Sequence, residues 1–169
     1  MSEPGEHLVK LYLESKNYLV LVGRRYKIKK APANEIDIIA INPIERDKII
    51  GEVKVWESGI TGYHFREVCG RIDEDYQRPL KLINNKTYQK TIIREVEKTY
   101  GSGFRIALYV HHIVKKWENR IRKFAKKEEF EIVTFSEIVK GLLIQKDKLG
   151  YFKDPVLQFL RIWEKTKPY

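Results

Sequence analysis

The run Glu35-Ile36-Asp37-Ile38-Ile39-Ala40, followed after a short break by Gly51-Glu52-Val53-Lys54-Val55-Trp56, constrains this chain more than any other stretch. Both segments are rich in β-branched residues, which suit the pleated surface of a strand. Between them Asn42-Pro43-Ile44-Glu45-Arg46-Asp47 supplies turn residues, so the two strands are expected to pair antiparallel as a hairpin. Side chains alternate along a strand. Ile50, Glu52, Lys54 and Trp56 therefore share one face, and Ile49, Gly51, Val53 and Val55 the other. In the first strand Glu35, Asp37, Ile39 and Ile41 lie opposite Ile36, Ile38 and Ala40. Two acids and a lysine thus project from apolar strands, a local inconsistency of the kind that marks a functional site.

The chemistry follows from residue type. Mg²⁺ takes oxygen ligands, commonly one or two carboxylates with phosphate oxygens and water. Such an ion polarises a phosphate and makes a bound water more acidic. Asp37 and Glu52 are the candidate ligands. Lys54, two residues beyond Glu52 on the same face, is placed to orient an attacking water or to neutralise charge growing on the phosphate. The competing reading is an ordinary hairpin with a surface aspartate and a cross-strand Glu–Lys pair.

An acid, a gap, and then Glu52-Val53-Lys54 on the next strand resembles the site of the PD-(D/E)XK nuclease superfamily. The proline that usually precedes the family's acid is absent; Glu35 and Ile36 stand in its place. The order of first helix, basic strand and Glu-x-Lys looks most like archaeal Holliday-junction resolvases and related small nucleases. The resemblance implies an α/β fold, a mixed central sheet flanked by helices on both faces with a restriction-endonuclease-like core. It implies hydrolysis of DNA phosphodiesters with Mg²⁺, or Mn²⁺ as a substitute, held by Asp37 and Glu52. It also implies a metal-site glutamate on the first helix and favours Glu6. Glu6 lies at the edge of the stripe of Leu8, Leu11 and Tyr12, whereas Glu14 projects almost opposite it. A glutamate that only complements the helix dipole is the alternative for Glu6. For the whole chain the alternatives are a non-catalytic DNA-binding member of the same fold and a basic protein-interaction domain.

Charge agrees with a polyanionic partner. The chain has 33 Lys and Arg against 23 Asp and Glu, a formal net charge of +10. DNA comes first and an anionic membrane surface second. Arg24, Arg25, Lys27, Lys29 and Lys30 precede Asp37 and are candidate phosphate contacts. A lysine-protected edge strand is the alternative for this segment. The 169 residues suit one nuclease-like domain over 1–169, with a motif core of about 1–110 and a C-terminal α/β extension of about 111–169. The single Cys69 excludes an internal disulfide and a cysteine-rich zinc site. No apolar run is long enough for a transmembrane helix, and the first residues lack the pattern of a secretory leader, so a cytoplasmic protein without a membrane partner is expected.

The remaining elements are expected as follows. A first helix covers Ser2 to Lys16, and a strand covers Tyr18 to Val22 with Arg24 to Lys30 as its outer part, leading into a loop. Trp56 packs against the first helix or contacts a base or sugar. A helix opens near Tyr63 and breaks at Pro79, with Gln77 and Lys81 as polar candidates nearby. His64 is a candidate phosphate contact, though a lone histidine is more often structural. Thr87 to Tyr100 is a helix and Phe104 to Val110 a buried strand. The adjacent pair His111-His112 is a poor chelate unless the chain turns there, and no Cys or His stands at zinc-site spacing, so zinc is not expected. Lys115 to Lys127 forms a basic helix, Glu131 to Thr134 a strand, and Ser136 caps the next helix. Asp154-Pro155 starts a last helix whose aromatic side either closes the core or supports a homodimer.

Overall fold

The computed structural model describes residues 4–26, 34–65 and 80–145, together with Asp154, Pro155 and Gln158. Its centre is a five-stranded sheet whose spatial order equals its order in the chain. The strands are β1 (Leu19–Tyr26), β2 (Asn34–Asn42), β3 (Asp47–Lys54), β4 (Phe104–Val110) and β5 (Phe130–Thr134). β1, β2 and β3 form an antiparallel meander, and β3, β4 and β5 run parallel. Parallel neighbours need crossover connections. The crossover from β3 to β4 carries α2 (Lys81–Asn84) and α3 (Lys86–Tyr100), and that from β4 to β5 carries α4 (Glu118–Lys127). α1 (Pro4–Glu14) precedes the sheet and α5 (Phe135–Gln145) follows it.

Strand alternation divides the core in two. On one face Ile39, Ile50, Ile106, Leu108 and Ile132 pack with Leu82, Ile83, Ile92, Val96, Ile121 and Ala125 from α2, α3 and α4. On the other, Ile38, Ala40, Ile49, Val53, Ala107, Tyr109 and Val133 pack with Val9 and Leu13 of α1 and Ile138 and Leu142 of α5. The fold is therefore α/β, a mixed sheet with helices on both faces. Each fully buried Ile or Leu contributes about 1.5–3 kcal/mol, so both layers are substantial.

Strict alternation fails at one step. Ile36 packs with the cluster that holds Ile39, although Ile38 and Ala40 face the other way. In β1, Val20 and Val22 belong to the α1 side, whereas Leu21 and Tyr26 pack on the α3 side. Both shifts bracket the step where Gly23 faces Asp37, between the pairs Val22–Ile38 and Arg24–Ile36. Gly23 has φ +63°, a left-handed conformation that glycine adopts without a Cβ penalty. It turns the following side chains, so the expectation that Ile36 shares the face of Ile38 is corrected.

Other boundaries also move. β1 begins at Leu19 rather than Tyr18 and runs on to Tyr26, so Arg24 and Arg25 lie in its outer part as expected. The helix after β5 is capped by Thr134, not Ser136. Glu137 accepts from the Thr134 backbone N–H at 2.7 Å, and the Glu137 N–H donates to Thr134 Oγ1 at 3.3 Å. This is a capping box, which satisfies backbone donors at both ends of the first turn. Asn85 caps α3 by accepting from the Tyr88 N–H at 2.9 Å. Gly62–His64 is a short 3₁₀ turn, and the rest of the helix expected there lies outside the described residues, as does Gln77. Of the last expected helix, the described residues include Asp154, whose carboxylate accepts from His7 Nε2 at 2.9 Å.

The start of β3 carries a matched charge cluster. Arg105 on β4 donates to both oxygens of Asp47, Nε to Oδ1 at 2.9 Å and Nη2 to Oδ2 at 2.8 Å. Its Nη1 donates to Glu131 on β5, and the Tyr18 hydroxyl donates to Asp47. Arg105, with help from Tyr18, holds the Asp47 carboxyl below the usual aspartate range. Burial, then the bond to Asp47, pushes the Tyr18 hydroxyl up to about 12.

Candidate active site

The opposite end of β3 holds the predicted acids and lysine. β2 and β3 pair from Asn42–Asp47 to Ile38–Gly51, and the ladder stops there. One residue on, the Asp37 side chain takes the place of a backbone acceptor: the Val53 N–H donates to Asp37 Oδ2 at 2.7 Å. Asp37 is thereby fixed where the two strands part. Glu52 and Lys54 project from β3 on the α3 side. Lys54 Nζ lies 3.1 Å from Glu52 Oε1 and 3.7 Å from Asp37 Oδ2. The three side chains are between 13% and 25% exposed, so all are largely withdrawn from water yet open at one edge.

Glu52 is the anomalous member. Its Oε2 is buried and has no hydrogen-bond partner. Burial pushes its carboxyl above the usual glutamate range, against the opposing pull of Lys54 and the Leu82 backbone N–H; Asp37 adds to the rise. A carboxylate oxygen left unsatisfied costs on the order of 1–3 kcal/mol. Such a group is a reason to look for a ligand. Hard oxygen donors from two carboxylates suit Mg²⁺ or Mn²⁺, which would give Glu52 Oε2 a partner and favour its ionised form.

Two neighbours of this site were not singled out from the sequence. Tyr88 on α3 has its hydroxyl pKa raised by burial first and then by the charges of Glu52 and Asp37, so it stands within electrostatic reach of both acids. The Leu82 amide at the start of α2 faces Glu52. Tyr88 stands four residues before Ile92 and eight before Val96, both buried, so the helical stripe carried a signal for its inward position.

Glu6 is half-buried on α1, next to Gly5, which abuts the side chains of Val53 and Val55. This is the same end of β3 as Lys54, but α1 covers the opposite face of the sheet from Glu52. Among the described residues no three His, Cys, Asp or Glu side chains are gathered closely enough to hold a metal ion, so Glu6 does not form such a group with Asp37 and Glu52. Glu14 is exposed and pairs with Lys10 at 3.7 Å, as its helix phase requires.

Of the basic segment, Arg24 and Arg25 are exposed on β1, and Arg25 Nε donates to Glu35 at 3.2 Å. Lys27, Lys29 and Lys30 lie outside the described residues. Lys115, Lys116, Arg120, Lys123 and Lys126 are exposed along the turn before α4 and its outer side. Trp56 does not pack on α1. Its ring stacks on His64 at 4.6 Å, and it lies against the α3-side core. The Thr61 N–H donates to His64 Nδ1 at 3.0 Å, which leaves the ring proton on Nε2. Burial lowers the His64 pKa, so the ring is a neutral anchor of the turn rather than a cation for a phosphate.

No helix among the described residues is long and apolar enough to cross a membrane. No protein-family model and no curated protein matches the chain. Among solved structures, it resembles the crystal structure of a protein of unknown function, AF1548, with a TM-score of 0.50 and 13% identity over 80% of this chain and 63% of that one. It also matches a repair endonuclease from Pyrococcus abyssi with a TM-score of 0.41 and 12% identity, over 79% of this chain and 47% of that one. The chain thus spans less than two thirds of either structure, and what the first similarity shows is the fold.

Proposed function

We propose that this protein is a metal-dependent DNA endonuclease that hydrolyses phosphodiester bonds at Asp37, Glu52 and Lys54. The observation that carries this reading is the buried, unpartnered Glu52 Oε2 beside a second carboxylate and a lysine. A purely structural Glu–Lys pair has no use for a buried oxygen left without a hydrogen bond. Asp37 and Glu52 would hold Mg²⁺, with Mn²⁺ as a substitute, and the ion when bound supplies charge to the phosphate and a more acidic water. Asp37 is kept in place by the Val53 N–H. Lys54 presents its ammonium at the open edge, where it donates to the attacking water or to a phosphate oxygen as charge builds there. The inner side of the site is buried, with the Leu82 amide facing Glu52 and Tyr88 within reach of the charges of both acids, and this withdrawal from bulk water strengthens these interactions.

The exposed cations of α4 and of β1, part of the chain's excess of positive charge, supply the attraction to the DNA backbone. A branched substrate such as a four-way junction, cut by a homodimer with one site per protomer, is the form of this activity we favour. Such an enzyme works in the cytoplasm.

The test is a panel of labelled linear and branched DNA, incubated with Mg²⁺ or with EDTA, alongside Glu52→Ala. Cleavage that needs the ion and disappears in the variant is expected. Salt-sensitive DNA binding without any cutting would turn the reading to a non-catalytic DNA-binding protein. Absence of both would leave a basic protein-interaction domain.

A further inference from the structure

The two adjacent histidines after β4 form a second arrangement of donors, unrelated to the carboxylate site. In a continuing strand His111 and His112 would point to opposite faces. Instead the chain bends at His111, and the two residues are fixed by backbone bonds to the last residue of β3 and to the segment that follows it. The His111 N–H donates to the Lys54 carbonyl at 3.1 Å, and the His112 carbonyl accepts from the Ile60 N–H at 2.9 Å. Ile113 then bridges to Ile60.

The rings meet as a result. Their planes are inclined at 72°, and Nδ1 of His111 lies 3.1 Å from Nδ1 of His112. Gly59 explains why His112 faces this way. Its φ is +73°, and a Cβ there would lie 2.3 Å from His112 Nε2. The far edge of the imidazole is therefore seated on bare backbone, and Nδ1 is the nitrogen turned toward its neighbour. His111 is exposed, so the space between the two nitrogens is reachable from solvent.

We propose that His111 and His112 chelate a borderline divalent transition ion, Zn²⁺ or Ni²⁺ by class, through their two Nδ1 atoms. With metal–nitrogen bonds of about 2.0–2.1 Å, two donors 3.1 Å apart subtend roughly 100° at the ion, between the octahedral and tetrahedral values. Imidazole donors suit these ions and not Mg²⁺. Without the ion, one ring must carry a proton on Nδ1 to bond the other. Binding moves that proton to the ring's Nε2, so both rings bind as neutral ligands and no net proton is released. Among the described residues no further His, Cys, Asp or Glu completes a cage, so the site is a bidentate, open one with water in the remaining positions.

The test uses the full chain, stripped with EDTA and then held in excess Mg²⁺. Zn²⁺ or Ni²⁺ is titrated in by calorimetry, and the histidine ring nitrogens are followed by NMR. The expected result is one ion per chain, with ring-nitrogen shifts confined to His111 and His112: both Nδ1 atoms move on coordination, and Nε2 of the ring that gives up its Nδ1 proton moves as it takes that proton. His111→Ala and His112→Ala each weaken binding at least tenfold, while His7→Ala leaves it unchanged. Cys69→Ser is run beside them, because a thiolate takes the same ions. Binding that survives both histidine variants, that is lost with Cys69 alone, or that is absent from the wild-type chain overturns the proposal. Melting of each variant without metal separates a lost ligand from a lost fold.

Discussion

β3 carries a charge cluster at each end, and the two are built on opposite terms. At its start Asp47 meets a bidentate arginine and a tyrosine hydroxyl, and its carboxyl is held low. Near its end Glu52 has one oxygen against Lys54 and the other buried without a hydrogen bond, and its carboxyl is held high. Both ends pin neighbouring strands, yet the first cluster serves the fold and the second strains it. Linkage gives the two ends opposite signs. Asp47, with its pKa depressed on folding, contributes stability that is present above its unfolded value and lost as pH falls through the folded one. Glu52, with its pKa raised, opposes folding at neutral pH, and this penalty is relieved as pH falls through its folded value.

The comparison is broken most sharply by activity. Glu52→Ala and Lys54→Ala are each expected to lower cleavage on a labelled DNA substrate by about 100-fold or more, with DNA binding nearly unchanged. Equal cleavage by either variant would mean that the unsatisfied end of β3 is not the reacting end. Next comes the reach of the site across the sheet. Glu6→Gln is expected to slow cleavage about tenfold and Glu14→Gln hardly at all, since Glu6 alone sits near the end of β3. Equal effects would confine the site to the hairpin.

At the matched end, Asp47→Asn should lower stability by about 1–2 kcal/mol, discounted because Arg105 is partly exposed, and lower Tm by several degrees. Glu52→Gln should do the reverse and raise stability by about 1 kcal/mol, read as a higher urea midpoint at unchanged slope. A drop in that midpoint would show that the Glu52–Lys54 pair is a net support of the fold. Smallest is the pH signature. As pH falls from neutral toward the ordinary glutamate range, the wild-type chain should close the stability gap to Glu52→Gln, because it takes up a proton that the unfolded chain does not.

Much of this was legible in the sequence, for a local reason. The period-two pattern around Asp37, Glu52 and Lys54 fixes which side chains share a face, and the Asn42–Asp47 turn fixes the hairpin. Where alternation broke, the reading went wrong: a glycine inside β1 gave no hint that Ile36 would swing to the other layer. Thr134-x-x-Glu137 is a capping signature, and Ser136 drew attention from it only because the strand was expected to end with Thr134. The pairing of Trp56 with His64, and the place of Tyr88 within reach of the acids, depend on how loops and crossover helices dock. No spacing along the chain encodes that distance. The same holds for His111 and His112, where the bend comes from bonds to Lys54 and Ile60, more than fifty positions earlier.

The sheet's spatial order, identical to its chain order, has a kinetic consequence. Each strand finds its partner in the strand just before it, so the meander of β1, β2 and β3 closes only short loops. The β3–β4 pairing must instead wait for a closure of about fifty residues, and contacts of such separation tend to form late. The hairpin therefore brings Asp37 and Glu52 together while water still surrounds them, and the carboxylates are desolvated only when Leu82 and Tyr88 arrive with the crossover. Substitutions that relieve Glu52 should then slow unfolding or speed the last docking step, while leaving the early collapse of the meander untouched.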